Sequence, residues 1–128
     1  MKPITPQDFV NCYGTFVADV VKIASVYPRV WNWFKVTFPE LLLIYQTNKA
    51  LFDAIPTSIR VPAMPTFKPG YGGLAEISYG KSIGIMTTAL SIDLKGALTC
   101  AEVDPSLIAK IIAGLNTFII TGLKVGTK

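Results

Sequence analysis

The sequence contains no histidine, which removes the side chain most often used as a general base and as a metal ligand. A serine or cysteine nucleophile therefore has no imidazole to activate it, and no G-x-S-x-G turn is present. The two cysteines, Cys12 and Cys100, stand far apart and form no metal-binding pattern. They read as two free, buried thiols rather than as a pair. No cofactor or metal motif is found, and an enzyme is not expected. Charge is scarce as well: charged residues make up 16% of the chain, against about 25% in an ordinary domain. Long apolar runs are missing. The longest charge-free stretch, Ile111 to Leu123, falls short of the ~18 residues a spanning helix needs, although Lys110 and Lys124 could snorkel outward from its ends. The opening MKPITPQDF has no apolar segment of the signal-peptide kind, and no compartment is assigned. Repeats and low-complexity tracts are also lacking.

What the sequence has is apolar surface, at 51% of its 128 residues. That length suits one domain, residues 1–128, which can bury roughly two-thirds of its unfolded surface. Too few charges remain to coat it, so some apolar surface should face another subunit, a bilayer or an apolar ligand. The net charge of +4 is mild and scattered; it suits an anionic membrane surface and weighs against nucleic acid.

Helical signals dominate the order of elements. Thr5-Pro6-Gln7-Asp8 combines a cap, a first-turn proline and an acid at the positive helix end. Phe9, Tyr13, Phe16, Val17, Val20, Ala24 and Tyr27 then share one face, and Pro28 ends the run, which predicts a helix over 6–27. Arg29 to Lys35 (RVWNWFK) interleaves aromatics with bases. Such a piece serves as an aromatic packing corner, a base-stacking platform or an interfacial anchor; with only two basic residues, packing is preferred. Thr37-Phe38-Pro39-Glu40 starts a second helix that keeps its spacing to Pro56. Prolines 56, 62, 65 and 69 and glycines 70, 72 and 73 make residues 56–73 an extended strap. Ile59, Val61, Met64 and Phe67 give it apolar character suited to a partner surface.

Residues 74–103 carry two patterns. Ile83, Met86, Leu90, Leu94 and Ala97 fit one helical stripe, with Gly84, Thr88, Ser91 and Lys95 on a second; Leu90 to Lys95 also alternates as a strand would. The longer helical spacing favours a helix over about 82–101. Asp104-Pro105 starts a last helix through Ile108, Ile111, Ile112, Leu115 and Ile119, with Gly122 as a stop. Ala75 to Ser82 (AEISYGKS) matches the last three fixed positions of a phosphate-cradling G-x-x-x-x-G-K-[ST] loop, but Ala75 replaces its first glycine and no strand precedes it, so phosphate binding is not expected. Asp93, alone in an apolar segment, is expected to pair with a lysine from a neighbouring helix or subunit. Asp19 is explained by Lys22 three residues on.

The expected fold is mostly α. It has two N-terminal helices (6–55), an extended Pro/Gly-rich strap (56–73) and an apolar C-terminal helical hairpin (74–128); the alternative is α+β with a β-ribbon at about 74–103. The expected function is a non-catalytic structural subunit that self-assembles, with copies of itself and other subunits, by helix packing and strap exchange into a filament, shell or envelope-associated complex. The candidate interface comprises Trp31, Trp33, Phe34, Val61, Met64, Phe67, Tyr71, Ile111, Ile112, Leu115 and Ile119. The alternative is a carrier of a lipid or other apolar ligand, in a cavity lined by residues such as Phe16, Trp33, Phe34, Phe52 and Ile112.

Overall fold

Helix starts marked by proline recur along the chain and set its architecture. In a computed structural model, which describes residues 5–64 and 73–119, the regular structure is six helices: α1 (Pro6–Ala24), α2 (Pro28–Thr37), α3 (Pro39–Thr47), α4 (Lys49–Asp53), α5 (Leu74–Cys100) and α6 (Pro105–Ile119). The chain is mostly α, and the β-ribbon alternative fails because α5 runs unbroken through 74–100. At the start of α1 the Thr5 hydroxyl accepts from the Asp8 N–H at 3.2 Å, while the Asp8 carboxylate accepts from the Thr5 N–H at 3.0 Å. This capping box satisfies two N–H groups at once.

The N-terminal part holds four helices rather than two. Pro28 does not simply end a helix: it occupies the first turn of α2, where a missing N–H costs nothing. The predicted second helix breaks at Asn48, whose backbone (φ −130°, ψ 34°) separates α3 from α4. The Asn48 side chain donates to the Ile44 carbonyl at 3.0 Å, competing with helical continuation as asparagine tends to do.

α1 is the hub. It packs against α2, α3, α4 and α5, and α5 packs in turn against α6 to give the apolar hairpin. Phe16, Val17, Val20 and Ile23 of α1 are fully buried, as are Ile83, Leu90 and Leu94 of α5. Full burial of such side chains stabilises by about 1.5–3 kcal/mol each. Gly14 admits the close approach of Ile55, whose Cγ1 would lie 3.2 Å from a Cβ placed there. The RVWNWFK segment is a packing corner: Trp31 stacks on Phe34 at 5.3 Å, and Trp33 meets Phe38 edge-on at 5.8 Å and stacks on Phe118 at 6.2 Å.

The cysteines are not free thiols. Cys12 and Cys100 form a disulfide across 88 residues, with Cα atoms 5.4 Å apart, tying α1 to the end of α5. Closing a loop of that size removes unfolded-state entropy worth about 4–5 kcal/mol in the chain-entropy model, and such bonds persist in oxidising compartments. Sequence spacing gave no sign of the pairing, because it depends on two helices meeting side by side.

The described part of the strap packs on its own chain. Ile59 is buried and accepts through its carbonyl from Lys22 Nζ at 2.6 Å, and the Tyr27 hydroxyl donates to the Pro62 carbonyl at 2.8 Å. Residues 57–63 thus have partners within their own chain, on α1 and at its junction with α2.

Candidate functional site

AEISYGKS lies entirely within the first turns of α5. Its backbone is helical, so no loop of free N–H groups exists to surround a phosphate, and Lys81 and Ser82 project from an exposed helix side. The resemblance to a nucleotide loop is a coincidence of three residues.

The expected interface residues fall in different places. Phe34 and Leu115 are completely buried in the chain's own core and are not available to a neighbour. Trp31, Trp33, Val61, Ile111 and Ile112 are half-buried and packed against that core; Met64 is exposed. Phe67 and Tyr71, with the side chain of Ile119, lie outside the described residues. The apolar surface that does face outward belongs to α5. Ile77, Ile85 and Ile92 are 52%, 66% and 65% exposed, and Leu74 is more exposed still. At about 100° per residue, these positions and Lys81, Gly84, Thr88 and Lys95 fall within one stripe opposite the buried row. Of the second, small and polar stripe read from the sequence, Gly84, Thr88 and Lys95 belong to this outer face, whereas Ser91 is half-buried and donates to Asn116 Oδ1 of α6 at 3.2 Å.

A buried polar seam joins α1, α5 and the strap. Asp19 is only 1% exposed. Its Oδ1 accepts from the Thr57 hydroxyl, and its Oδ2 has no donor while both nearby acids are ionised. Asp93 approaches from α5 within hydrogen-bonding reach, so one proton held between the two carboxyls satisfies both. Burial, then the hydrogen bond and the charge of Asp93, push the Asp19 carboxyl up to about 7; the Thr57 hydroxyl and the Lys22 charge oppose this and are outweighed. The expected lysine partner of Asp93 is thus replaced by a second acid. Further along the same seam, the Tyr79 hydroxyl of α5 donates to the Tyr27 hydroxyl at 3.1 Å, linking the helix to the strap through Pro62.

The ligand cavity expected around Phe16, Phe34 and Phe52 is filled by the rings themselves, which are buried and in mutual contact with their neighbours: Phe16 lies 6.1 Å from Phe34, and Phe52 lies 5.6 Å from Tyr45. A groove of about 490 Å³ opens elsewhere, between α1, the start of α3 and the α5–α6 turn, and is lined mainly by apolar side chains. That volume falls in the range of drug-sized ligand sites, about 300–1,000 Å³.

No protein-family model, curated protein or solved structure matches the chain, so no relative supplies a role.

Proposed function

We propose that the chain is a non-catalytic structural subunit that assembles with copies of itself, and that the outer face of α5 is the contact. The observation that carries this reading is the exposed row Ile77, Ile85 and Ile92 on a helix whose other side is already committed to the core. A monomer gains nothing from three isoleucines in water, whereas a neighbour covering them removes their area from solvent. The row is also self-complementary. Ile77 and Ile92 lie at equal distances along the helix from the Gly84–Ile85 bond. In an antiparallel two-fold pair crossing there, Ile77 meets the second copy's Ile92, and Ile85 sits over its Gly84. A Cβ at Gly84 would have no atom of its own chain within 4 Å, which leaves that space open to the neighbour. Symmetric contacts of this kind close into dimers, from which larger arrays are built through further faces.

Sedimentation velocity in plain buffer without detergent tests the reading. The wild-type chain is expected to sediment as a dimer or larger species, and Ile85→Lys/Ile92→Lys as a monomer with an unchanged helical spectrum. A wild-type monomer that stays dispersed as its concentration rises overturns the assembly. A second reading, carriage of an apolar ligand, is favoured by the groove beside α1. The length and apolar character of α5 are also sufficient for a membrane span, by those two criteria alone.

A further inference from the structure

The groove that favours ligand carriage has a charge pattern at odds with the rest of the chain. The protein is net basic, with twelve lysines and arginines against eight acids, yet every charged residue among the described lining is an acid: Glu40, Glu102 and Asp104. Asp104 remains a firm negative charge, because the N–H and hydroxyl of Ser106 hydrogen-bond to it at 2.9 and 3.0 Å and hold its carboxyl below the usual range. Three aromatic rings, Phe9, Tyr13 and Phe38, line the same space. Tyr13 is 5% exposed, and its hydroxyl has no hydrogen-bond partner among the described residues. Tyr13 itself lines the groove. Burial pushes the Tyr13 phenol up, which keeps it a neutral donor and acceptor.

We infer that this groove is a binding site for a small single-chain amphiphilic cation, an alkylammonium whose tail lies along Leu98, Leu107 and Ile111 and whose head group lies among the rings and the carboxylates. The inference rests on the ligand-carriage reading and names the ligand class for it. Aromatic faces attract ammonium groups, and the attraction strengthens as water is excluded. The acids at the mouth add Coulombic attraction and disfavour anions. The helix starts at Pro39 and Pro105 do not reverse this sign: each proline removes one N–H, and Asp104 takes the N–H of Ser106.

The test uses the full chain labelled with nitrogen-15 and three eight-carbon probes: octyltrimethylammonium, octanoate and octyl glucoside. The cation is expected to bind about tenfold more tightly than octanoate. Its amide shifts should cluster at residues 9–13, 38–41 and 98–107, and Glu40→Gln/Glu102→Gln should erase the preference while octyl glucoside still binds. Equal affinity for all three probes overturns the cation assignment and leaves an apolar carrier standing. Binding by none of them, or shifts clustered elsewhere, overturns both. Co-sedimentation with phosphatidylcholine vesicles in place of free-cation binding also overturns the assignment, by moving recognition to a membrane surface.

Discussion

The two faces of α5 are built from similar residues and meet opposite fates. Inward it presents Ile83, Met86, Leu90 and Leu94, all essentially without solvent exposure; outward it presents Leu74, Ile77, Ile85 and Ile92, each more than half exposed. Hydrophobicity alone does not separate them. The inner row lies on the side of the helix that packs into the core, while the outer row shares its stripe with Lys81, Thr88 and Lys95 on the opposite side. An isoleucine on this helix is therefore buried in the core or left facing outward according to its phase.

The largest effect should come from cutting one residue on each face. Leu90→Ala leaves a cavity in the core and should cost about 2–5 kcal/mol in urea unfolding. Ile92→Ala, two positions away, should change the stability of the dilute chain by less than about 0.5 kcal/mol. A cost above 1 kcal/mol at Ile92, measured where the chain is monomeric, would break the contrast and place that side chain in the core.

The inner row is legible in the sequence because it needs only one helix and its period: Ile83, Met86, Leu90, Leu94 and Ala97 keep helical spacing, and all are buried. The features that resisted reading each depend on two elements meeting. Asp19 followed by Lys22 looks like a solvated pair along one helix, but Lys22 turns to the Ile59 carbonyl and Asp19 turns inward to Thr57 and Asp93. The Cys12–Cys100 bond and the acid-rimmed groove share that character, since each assembles from three-dimensional neighbours with no common motif.

The second test concerns the acid pair beside the inner face. Asp19 is raised from its unfolded value of about 3.9 to about 7, so between those pH values the folded chain holds a proton that the unfolded chain has released. Stability is then highest below pH 4 as far as this group is concerned, and is lost as pH rises towards 7. The slope is at most about 1.4 kcal/mol per pH unit, for a total on the order of 2–4 kcal/mol. Asp19→Asn can still accept from Thr57 and can donate to Asp93, so its urea midpoint should be flatter from pH 4 to 8 and equal to or above wild type at pH 8. A wild-type midpoint that climbs over that range, with the Asn variant following it, would mean that the two carboxyls do not share a proton.

The smallest effect is expected where both faces end. After Cys100 the chain closes a Schellman turn: the Val103 N–H donates to the Leu98 carbonyl at 3.0 Å, and the Glu102 N–H to the Thr99 carbonyl at 3.0 Å. Glu102 is the left-handed residue of that turn. Glu102→Gly should relieve strain of about 1 kcal/mol and raise the thermal midpoint by about 3–4 °C. Glu102→Ala separates backbone from charge, because alanine loses the carboxylate but keeps the Cβ that makes the conformation costly. If Ala stabilises as much as Gly, the cost lies in crowding of the three acids rather than in the turn. If only Gly stabilises, the turn carries the strain, and the carboxylate is held at the groove despite it.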